Sequence, residues 1–304
     1  MLTIFAIPKP FIGHIGIIQR NAIQSWLNLH PKCEIILLGD DHGVVEVAAE
    51  FGIRHIPGVQ RNDYGTPFIN AAFDVAQRLS SHRLMCYINT DIILLNDFLP
   101  SVRRVHERKR RFLLSGQRWD VNLNESWDFT KPDWEAQLQG YIAKIATLHP
   151  PTGLDYFVFP RYQYHALPPF VVGRPAWDTW LLYWTRFLRI PVIDTTQTVT
   201  AIHQNHGYEH VADGVRGTYN GPEGKSNLEL AGGYDHIFTL DDATLILTHQ
   251  GLKRPNLTLQ RLNRQMDIMP ILHPRLRFVM KYVKYLIYLM SALYRKVKKL
   301  HGVK

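Results

Sequence analysis

Asp91 is the residue whose setting most strongly indicates chemistry. It ends the polar triplet Asn89–Asp91, which separates two apolar runs, Leu84–Ile88 and Ile92–Leu95. Short continuous apolar runs are typical of buried parallel strands, and ligands of open α/β sheets bind where such strands end. A carboxylate enclosed by buried segments needs a metal ion or a cationic group beside it. The structural alternative is a turn or a helix cap, because Asn, Thr and Asp all serve there.

Further acids are predicted at strand ends. Asp40 and Asp41 come after the second strand, and Asp155 is assigned to the end of a later one. Because the strands of a parallel sheet end at one edge, these acids could share a site with Asp91. Such a site could hold Mg²⁺ or Mn²⁺ on the phosphates of a substrate. Asp97 fits a structural role instead, as the cap of a helix that begins near Phe98.

Two further groups could carry catalysis or bind a metal. Asp178 lies in the first turn of a helix that Pro175 is expected to start. It is therefore either a general base or a carboxylate that complements the helix dipole. His203 and His206 are spaced i, i+3 and could reach one metal ion, although 15 histidines make chance pairs common.

The elements that would position these residues alternate along the first half of the chain. Apolar spacing predicts strands at 2–7, 34–38, 54–57 and 84–88, with helices at 14–29, 43–51 and 67–79. After residue 111 we expect strands at 112–116 and 156–160, helices at 133–147 and 177–188, and irregular segments at 119–132 and 200–236. This order predicts an α/β fold with a Rossmann-like, mainly parallel sheet flanked by helices. The sequence has neither a Gly-x-Gly-x-x-Gly fingerprint after the first strand nor a Walker-type phosphate loop.

Composition indicates an ordinary globular chain, with 304 residues of which 46% are hydrophobic and 20% charged. Cys33 and Cys86 lie in or beside apolar runs and are expected to be reduced. The first strand begins almost at once, so no secretory signal is expected. The net charge of +9 comes from residues 275–304, which carry nine Lys and Arg and no acid. The rest is balanced overall, which argues against nucleic acid as a partner.

The basic segment at 275–300 has the spacing of an amphipathic helix. Its basic residues recur at steps of four and three beside a broad apolar face, and its uncharged run, Tyr285–Tyr294, spans ten residues. A membrane span needs about twenty residues, so the segment is expected to lie on an anionic membrane surface. The alternative is a helix that docks on the body of the protein or on a partner.

Five short motifs together resemble the GT-A family of nucleotide-diphospho-sugar glycosyltransferases. The resemblance covers roughly residues 2–250, and the motifs are Pro8-Lys9-Pro10-Phe11, Gly65-Thr66-Pro67, Tyr87-Ile88-Asn89-Thr90-Asp91, Asp155-Tyr156-Phe157-Val158-Phe159-Pro160 and Gly173-Arg174-Pro175-Ala176-Trp177-Asp178. The third corresponds to the family's Asp-x-Asp-type motif, but Asn89 replaces its first acid and brings no negative charge to a cation.

The resemblance implies a role for each matching residue. Asp178 would be the base that deprotonates the acceptor hydroxyl, and Asp91, His203 and His206 would hold Mn²⁺ or Mg²⁺. The residues implied in binding the nucleotide-diphosphate sugar are Pro8, Lys9, Asp40, Asp41, Thr66, Asn70, Asn89, Thr90, Asp155, Arg174 and Trp177. Trp119, Trp127 and Trp177 could also stack on sugars, although a Trp is more often part of the core.

These inferences predict a GT-A glycosyltransferase domain at 1–270 and a basic amphipathic helix at 271–304. The enzyme would be inverting, cytoplasmic and peripheral to the inner face of a membrane, with a glycan or lipid-linked acceptor. Three alternatives stay open. A sugar-1-phosphate nucleotidyltransferase would need a Gly-rich basic loop after the first strand, a binding protein would hold the sugar nucleotide without turnover, and a membrane scaffold would bind no nucleotide.

Overall fold

The first half of the chain alternates strands and helices, as its apolar pattern predicts. The elements in this half are β1 (Leu2–Ala6), α1 (Gly13–Leu27), β2 (Glu34–Leu38), α2 (Val44–Glu50), β3 (Arg54–Ile56), α3 (Ile69–Leu79) and β4 (Leu84–Ile88). Every residue of β1 and of β4 is buried. Burial on both faces explains why these strands are continuous apolar runs in the sequence.

The second half has a less regular order. Its elements are β5 (Ile92–Leu94), α4 (Phe98–His106), β6 (Leu113–Ser115), β7 (Trp119–Val121), α5 (Trp134–Ile145), β8 (Thr147–Leu148), β9 (Tyr156–Pro160), α6 (Trp177–Phe187), β10 (Val192–Asp194), β11 (Ala201–Gln204), α7 (Gly214–Asn220), α8 (Pro222–Ala231), β12 (Leu245–Thr248), β13 (Gly251–Lys253) and α9 (Leu259–Leu272). The segment 200–236, expected to be a loop, contains β11, α7 and α8. Helix α8 buries only Gly224, Asn227 and Ala231, so it has no apolar stripe to reveal it.

Within the described residues, a nine-stranded sheet has the order β13-β12-β10-β6-β9-β4-β1-β2-β3. Strand β9 is antiparallel to β4 and β6, and β13 is antiparallel to β12, while the other pairs are parallel. The predicted α/β class with a mainly parallel sheet is therefore confirmed. Phe5 points to the face covered by α3, where its ring lies 5.2 Å from that of Phe73.

A second, four-stranded sheet has the order β5-β11-β7-β8. Strand β11 is antiparallel to β5 and parallel to β7, with His203 opposite Ile92 on one side and Asp120 on the other. Strand β7 lies in the segment 119–132 that was expected to be irregular. This small sheet brings residues far apart in the sequence next to the segment that follows β4.

The computed structural model describes residues 1–207, 214–276 and Tyr282. The chain divides into two units, Met1–Pro255 and Asn256–Lys304. The boundary expected at residue 270 stays a prediction, because nearly all of the basic helix expected after it lies outside the described residues. Among the helices of the described part, none has the length and apolar character needed to cross a bilayer.

Asp97 precedes α4 as expected, but its side chain does not cap the helix. The carboxylate instead accepts hydrogen bonds from the backbone N–H of Thr200 at 2.9 Å and from its hydroxyl at 2.7 Å. Asp97 therefore links the start of α4 to the segment before β11, a contact across 103 residues that helix capping rules do not reveal.

Phe73 is a sensitive point of the core, because its fully buried ring stacks on Phe159 at 5.3 Å and on Tyr87 at 5.7 Å. We expect Phe73→Ala to lower the free energy of unfolding by about 3–5 kcal/mol, measured by urea denaturation. Tyr64→Ala, at a side chain that is 69% exposed, is the control and should change it by less than about 0.5 kcal/mol. An equal, small loss for both variants would contradict this account of the core.

Candidate functional site

The carboxyl edge of the parallel strands gathers several of the predicted residues. Lys9 follows β1, and Asn89–Asp91 follows β4, its parallel neighbour. Asp155 lies at the same edge for a different reason than predicted. It precedes β9 rather than following a strand, and because β9 is antiparallel to β4, the start of β9 lies beside the end of β4. The backbone N–H of Asn89 donates to the Asp155 carbonyl at 2.9 Å.

Asp91 lies against the two predicted histidines. Its Oδ2 is 3.0 Å from His206 Nε2 and 3.9 Å from His203 Nε2, and one potential ligand atom from each residue lies within 4.8 Å of the others. Asp91 Oδ1 is buried and has no hydrogen-bond partner among the described residues. Burial alone would raise the pKa of Asp91, but His206, His203 and Lys9 hold it well below its usual range.

The outer nitrogens of both imidazoles face oxygen acceptors. His206 Nδ1 lies 2.9 Å from the Gly207 carbonyl, and His203 Nδ1 lies 3.1 Å from Asp120 Oδ1. A carbonyl or an ionised carboxylate can only accept, so each Nδ1 carries a hydrogen. Loss of the proton from Nε2 would then free that nitrogen to ligate a cation held together with Asp91. Histidines that ligate metals are held in this way. The residues therefore fit a divalent cation, and two imidazoles with one carboxylate suit Mn²⁺ better than the all-oxygen preference of Mg²⁺.

Lys9 brings a positive charge to the same point. Its ammonium lies 3.1 Å from His206 Nε2. Burial lowers the pKa of Lys9, while Asp91 and Asp155 oppose that shift. A partly buried cation beside these carboxylates can neutralise an incoming phosphate.

Asp155 has a different partner from Asp91. Both of its oxygens accept from Arg118 Nη1, at 2.7 and 2.8 Å, and Oδ1 also accepts from Asn89 Nδ2 at 2.8 Å. Asp155 is thus already paired with a cation. The Asn at position 89 fits this arrangement, because a carboxylate there would face Asp155 without the hydrogen that the amide supplies.

Helix α1 fixes the two loops of the site through a residue that sequence reasoning missed. Gln19 Oε1 accepts from the Lys9 backbone N–H at 2.7 Å and from Thr90 Oγ1 at 2.6 Å, and Gln19 Nε2 donates to the Lys9 carbonyl at 2.8 Å. Gln19 is 1% exposed. Its position beside Ile18 on the buried face of α1 was a usable signal, since a polar residue on such a face needs a buried partner. Pro8 is also buried here.

Asp178 lies in the first turn of α6, as predicted. Its Oδ1 accepts the Thr179 backbone N–H at 2.8 Å. Burial raises the pKa of Asp178 to about 6, the hydrogen bond from Thr179 opposes this shift, and the nearby charge of Asp155 adds to it. A carboxylate poised near neutral pH is suited to accept a proton.

The tryptophans that were candidates for stacking on sugars expose less ring surface than expected. Trp177 packs against Tyr87 and Phe157, with ring centroids 5.1 and 5.4 Å apart, and is 6% exposed. Most of its ring therefore belongs to the core beneath Asp178. Trp119 lies in β7 and Trp127 packs against Tyr141, and both are partly exposed.

The remaining predicted residues form two further groups. Arg61 Nη2 lies 2.8 Å from Asp40 Oδ1 and 2.8 Å from Asp41 Oδ2. Glu223 in α8 accepts from Arg174 Nε at 3.0 Å, and the Thr66 hydroxyl lowers its pKa against the opposing effect of burial. These contacts connect the loops that precede α3 and α6 with α8.

Asn70, in the first turn of α3, was also predicted to bind the donor. Its Oδ1 is buried and has no hydrogen bond within the described part of the chain. A buried amide oxygen of this kind can accept a hydrogen bond from a ligand. Binding of a nucleotide by any of these residues stays a prediction.

Asp120 is a second residue that the sequence did not single out. Its carboxylate contacts His203, His149 Nδ1 at 2.6 Å and Arg118 Nε at 2.9 Å. We expect Asp120→Asn to weaken Mn²⁺ binding about 10- to 100-fold, because the variant no longer holds His203 with a charged acceptor. Calorimetric titration with MnCl₂ measures this, and Asp133→Asn, at an exposed acid, is the control. Equal affinity in both variants would show that Asp120 does not orient the ligand.

Comparisons with known proteins find similarity only at the level of structure. No family model and no curated protein matches the sequence. S. aureus TarS 1–349 in complex with UDP-GlcNAc is similar at 12% identity and a TM-score of 0.31, over 40% of this chain and 36% of that chain. Glucosyl-3-phosphoglycerate synthase from Mycobacterium tuberculosis, in complex with Mn²⁺, uridine diphosphate and phosphoglyceric acid, is similar at 15% identity and a TM-score of 0.45, over 77% of this chain and 79% of that chain.

The same synthase with Mg²⁺ and uridine diphosphate gives 15% identity and a TM-score of 0.44. These structures carry uridine nucleotides. The similarities are too low to assign a family or an activity, which therefore depend on the site itself.

Proposed function

We propose that this chain is a glycosyltransferase that moves a sugar from a nucleotide-diphosphate sugar to a hydroxyl acceptor with inversion. One observation supports this most: Asp178, whose pKa is raised to about 6, feels the charge of Asp155, and Asp155 is hydrogen-bonded to Asn89 at the sheet edge where Asp91, His203 and His206 cluster. The first group suits a base for the acceptor, and the second suits a cation on the diphosphate. The sequence motifs add weight because they predicted both groups independently.

The reaction would proceed by displacement at the anomeric carbon. The acceptor oxygen forms the new bond to that carbon, the bond to the diphosphate breaks with its electron pair, and Asp178 takes the acceptor's proton. Lys9 and Asn89 would bind and orient the diphosphate and the ribose. A divalent cation held by Asp91, His203 and His206 would supply charge stabilisation for the leaving diphosphate.

Binding and turnover have to be tested separately. A thermal-shift screen of nucleoside diphosphates and their sugars, with and without MnCl₂, should give an increase in Tm that needs both nucleotide and cation. Release of free nucleotide from the matching sugar nucleotide then measures slow donor hydrolysis in the absence of an acceptor. An increase in Tm without release of free nucleotide, even when acceptor glycans are added, would favour the second candidate function, a sugar-nucleotide-binding protein.

That second function is supported by Asn89, which donates to Asp155 where the glycosyltransferase family has an acid. A membrane role for residues 275–300, with a lipid-linked or surface-glycan acceptor and a cytoplasmic location on the inner membrane face, remains part of the proposal. No shift with any nucleotide would favour a scaffold instead.

A further inference from the structure

The amino edge of the central sheet, opposite the candidate site, carries a cluster of exposed arginines. Arg83 directly precedes β4, Arg110 and Arg111 precede β6, and Arg189 precedes β10. All four are exposed. None of their guanidinium groups is ion-paired with a carboxylate in the part of the chain that the structure describes. We call these four arginines, with Tyr162 and Phe187, the basic rim.

Strand order makes the basic rim continuous. Strands β10, β6, β9 and β4 are successive neighbours, and adjacent strands lie about 4.8 Å apart, so the four arginines originate within about 15 Å along the edge. Backbone contacts confirm the proximity, since Arg161 N–H donates to the Arg83 carbonyl at 2.8 Å and Leu113 N–H to the Pro191 carbonyl at 3.0 Å. The segment 103–111 adds further exposed cations, Arg103 and Arg108, with one acid, Glu107.

Two exposed aromatic side chains lie among the arginines of the basic rim. Tyr162 is 50% exposed and Phe187 is 37% exposed. Tyr162 and Arg189 have positive φ angles of 63° and 57°, a conformation that is uncommon for residues other than glycine. Exposed aromatic rings among cations are typical of surfaces that enter the head-group region of a bilayer.

Two classes of polyanion could meet such a surface, and ring geometry favours one of them. Arg161 already lies over the Tyr162 ring at 4.6 Å, and His165 is parallel to that ring at 6.3 Å. Phe187 is stacked on Trp184 at 5.4 Å. These contacts already occupy part of both rings, which reduces the ring area available for stacking on bases, and single-stranded nucleic acids require such stacking of their partners. The ring edges and the guanidinium groups stay available to lipid head groups.

We infer that the basic rim is a docking surface for a membrane containing anionic phospholipids, separate from the segment 275–300. Because β4 has five residues and rises about 3.3 Å per residue, the rim lies about 16 Å or more from Asp91 at the other end of the strand. A membrane bound at the rim therefore leaves the carboxyl edge open to solvent and to a nucleotide.

The test uses the full chain and vesicles of phosphatidylcholine with or without phosphatidylglycerol. Arg110→Gln/Arg111→Gln should lower partitioning to the anionic vesicles about 25-fold, at about fivefold per arginine. Lys131→Gln/Lys144→Gln removes the same charge from exposed positions outside the rim and should change it less than about twofold. Binding to neutral vesicles should be weak for every variant.

Further double variants are needed in case the first one has a lowered Tm and is therefore unstable. Arg83→Gln/Arg110→Gln should give the same loss, and Arg110→Lys/Arg111→Lys should retain most binding because charge is kept. Unchanged vesicle binding in both Gln pairs would overturn the inference. So would loss of binding to a single-stranded RNA probe in these variants while vesicle binding stays at the wild-type level, because the rim would then serve nucleic acid.

Discussion

Asp178→Asn is expected to lower kcat for sugar transfer about 100- to 10,000-fold, the range that a positioned general base contributes. The amide keeps the size of the carboxylate and can still accept the Thr179 N–H, but it cannot take a proton from the acceptor. Donor binding should persist, because the cation site at Asp91 is untouched. Steady-state kinetics with saturating donor measure the loss, and thermal shift with nucleotide measures the retained binding.

The control for this variant is Asp74→Asn, which neutralises an exposed carboxylate on α3 and should leave kcat unchanged. Transfer by Asp178→Asn at the wild-type rate would remove the base from the proposed mechanism. Loss of donor binding together with activity would instead assign Asp178 to the nucleotide.

The pH dependence follows from the same side chain. Burial raises the pKa of Asp178 to about 6, and only the ionised form is a base, so kcat should fall as pH drops below about 6. Rising pH has the opposite effect on stability. An acid whose pKa is higher in the folded than in the unfolded state lowers the free energy of unfolding as pH rises above the pKa of the unfolded state. Asp178→Asn should therefore be at least as stable as the wild type at pH 8, which separates a catalytic loss from misfolding.

Asp91→Asn is expected to have the second large effect, a loss of at least about 100-fold in Mn²⁺ affinity and about 100- to 1,000-fold in kcat/KM. The amide removes the negative charge beside His203 and His206, which also has the larger effect of the two carboxylates that act on Lys9. Calorimetric titration with MnCl₂, alone and with a nucleoside diphosphate, measures the first effect independently of turnover.

Asp235→Asn, at an exposed acid, is the matched control and should bind Mn²⁺ normally. Stability gives a further readout. The folded pKa of Asp91 is depressed, so its ionised form stabilises the protein at neutral pH, and that contribution disappears as pH falls below about 4. Asp91→Asn should be less stable than the wild type at pH 7 and similar to it in acid. Full Mn²⁺ affinity and full transfer in this variant would refute the site.

Local pattern was sufficient for the elements of the parallel half of the sheet. Buried strands are continuous apolar runs, and helices with one buried face repeat every three or four residues, so β1, β2, β4 and α1 to α3 could be predicted within a few residues. The acid that ends β4 could be singled out for the same reason, because Asp91 interrupts a buried segment and such an interruption is visible without a structure.

Contacts across long separations could not be predicted in this way. The direction of β9 is set by its neighbours β4 and β6, so whether Asp155, which directly precedes β9, lies at the site edge depends on pairing that no local pattern encodes. Contacts between residues far apart in the sequence also produce three other features. These are the ion pair between Arg118 and Asp155, the hydrogen bonds of Gln19 to Lys9 and Thr90, and the basic rim. The near-zero net charge of the body did not reveal the basic rim, because acids elsewhere in the body balance its arginines.

The sequence by itself determined which residue types were available for chemistry and which segments had to be buried, because hydrophobic burial and backbone hydrogen bonding act on neighbours along the chain. Only the tertiary structure decided which carboxylate faces two imidazoles and which faces an arginine. Asp91 and Asp155 are similar in sequence, each next to a buried strand. Their different partners follow from where β11 and β7 bring His203 and Arg118, and a side chain's pKa and ligands depend on such neighbours in space.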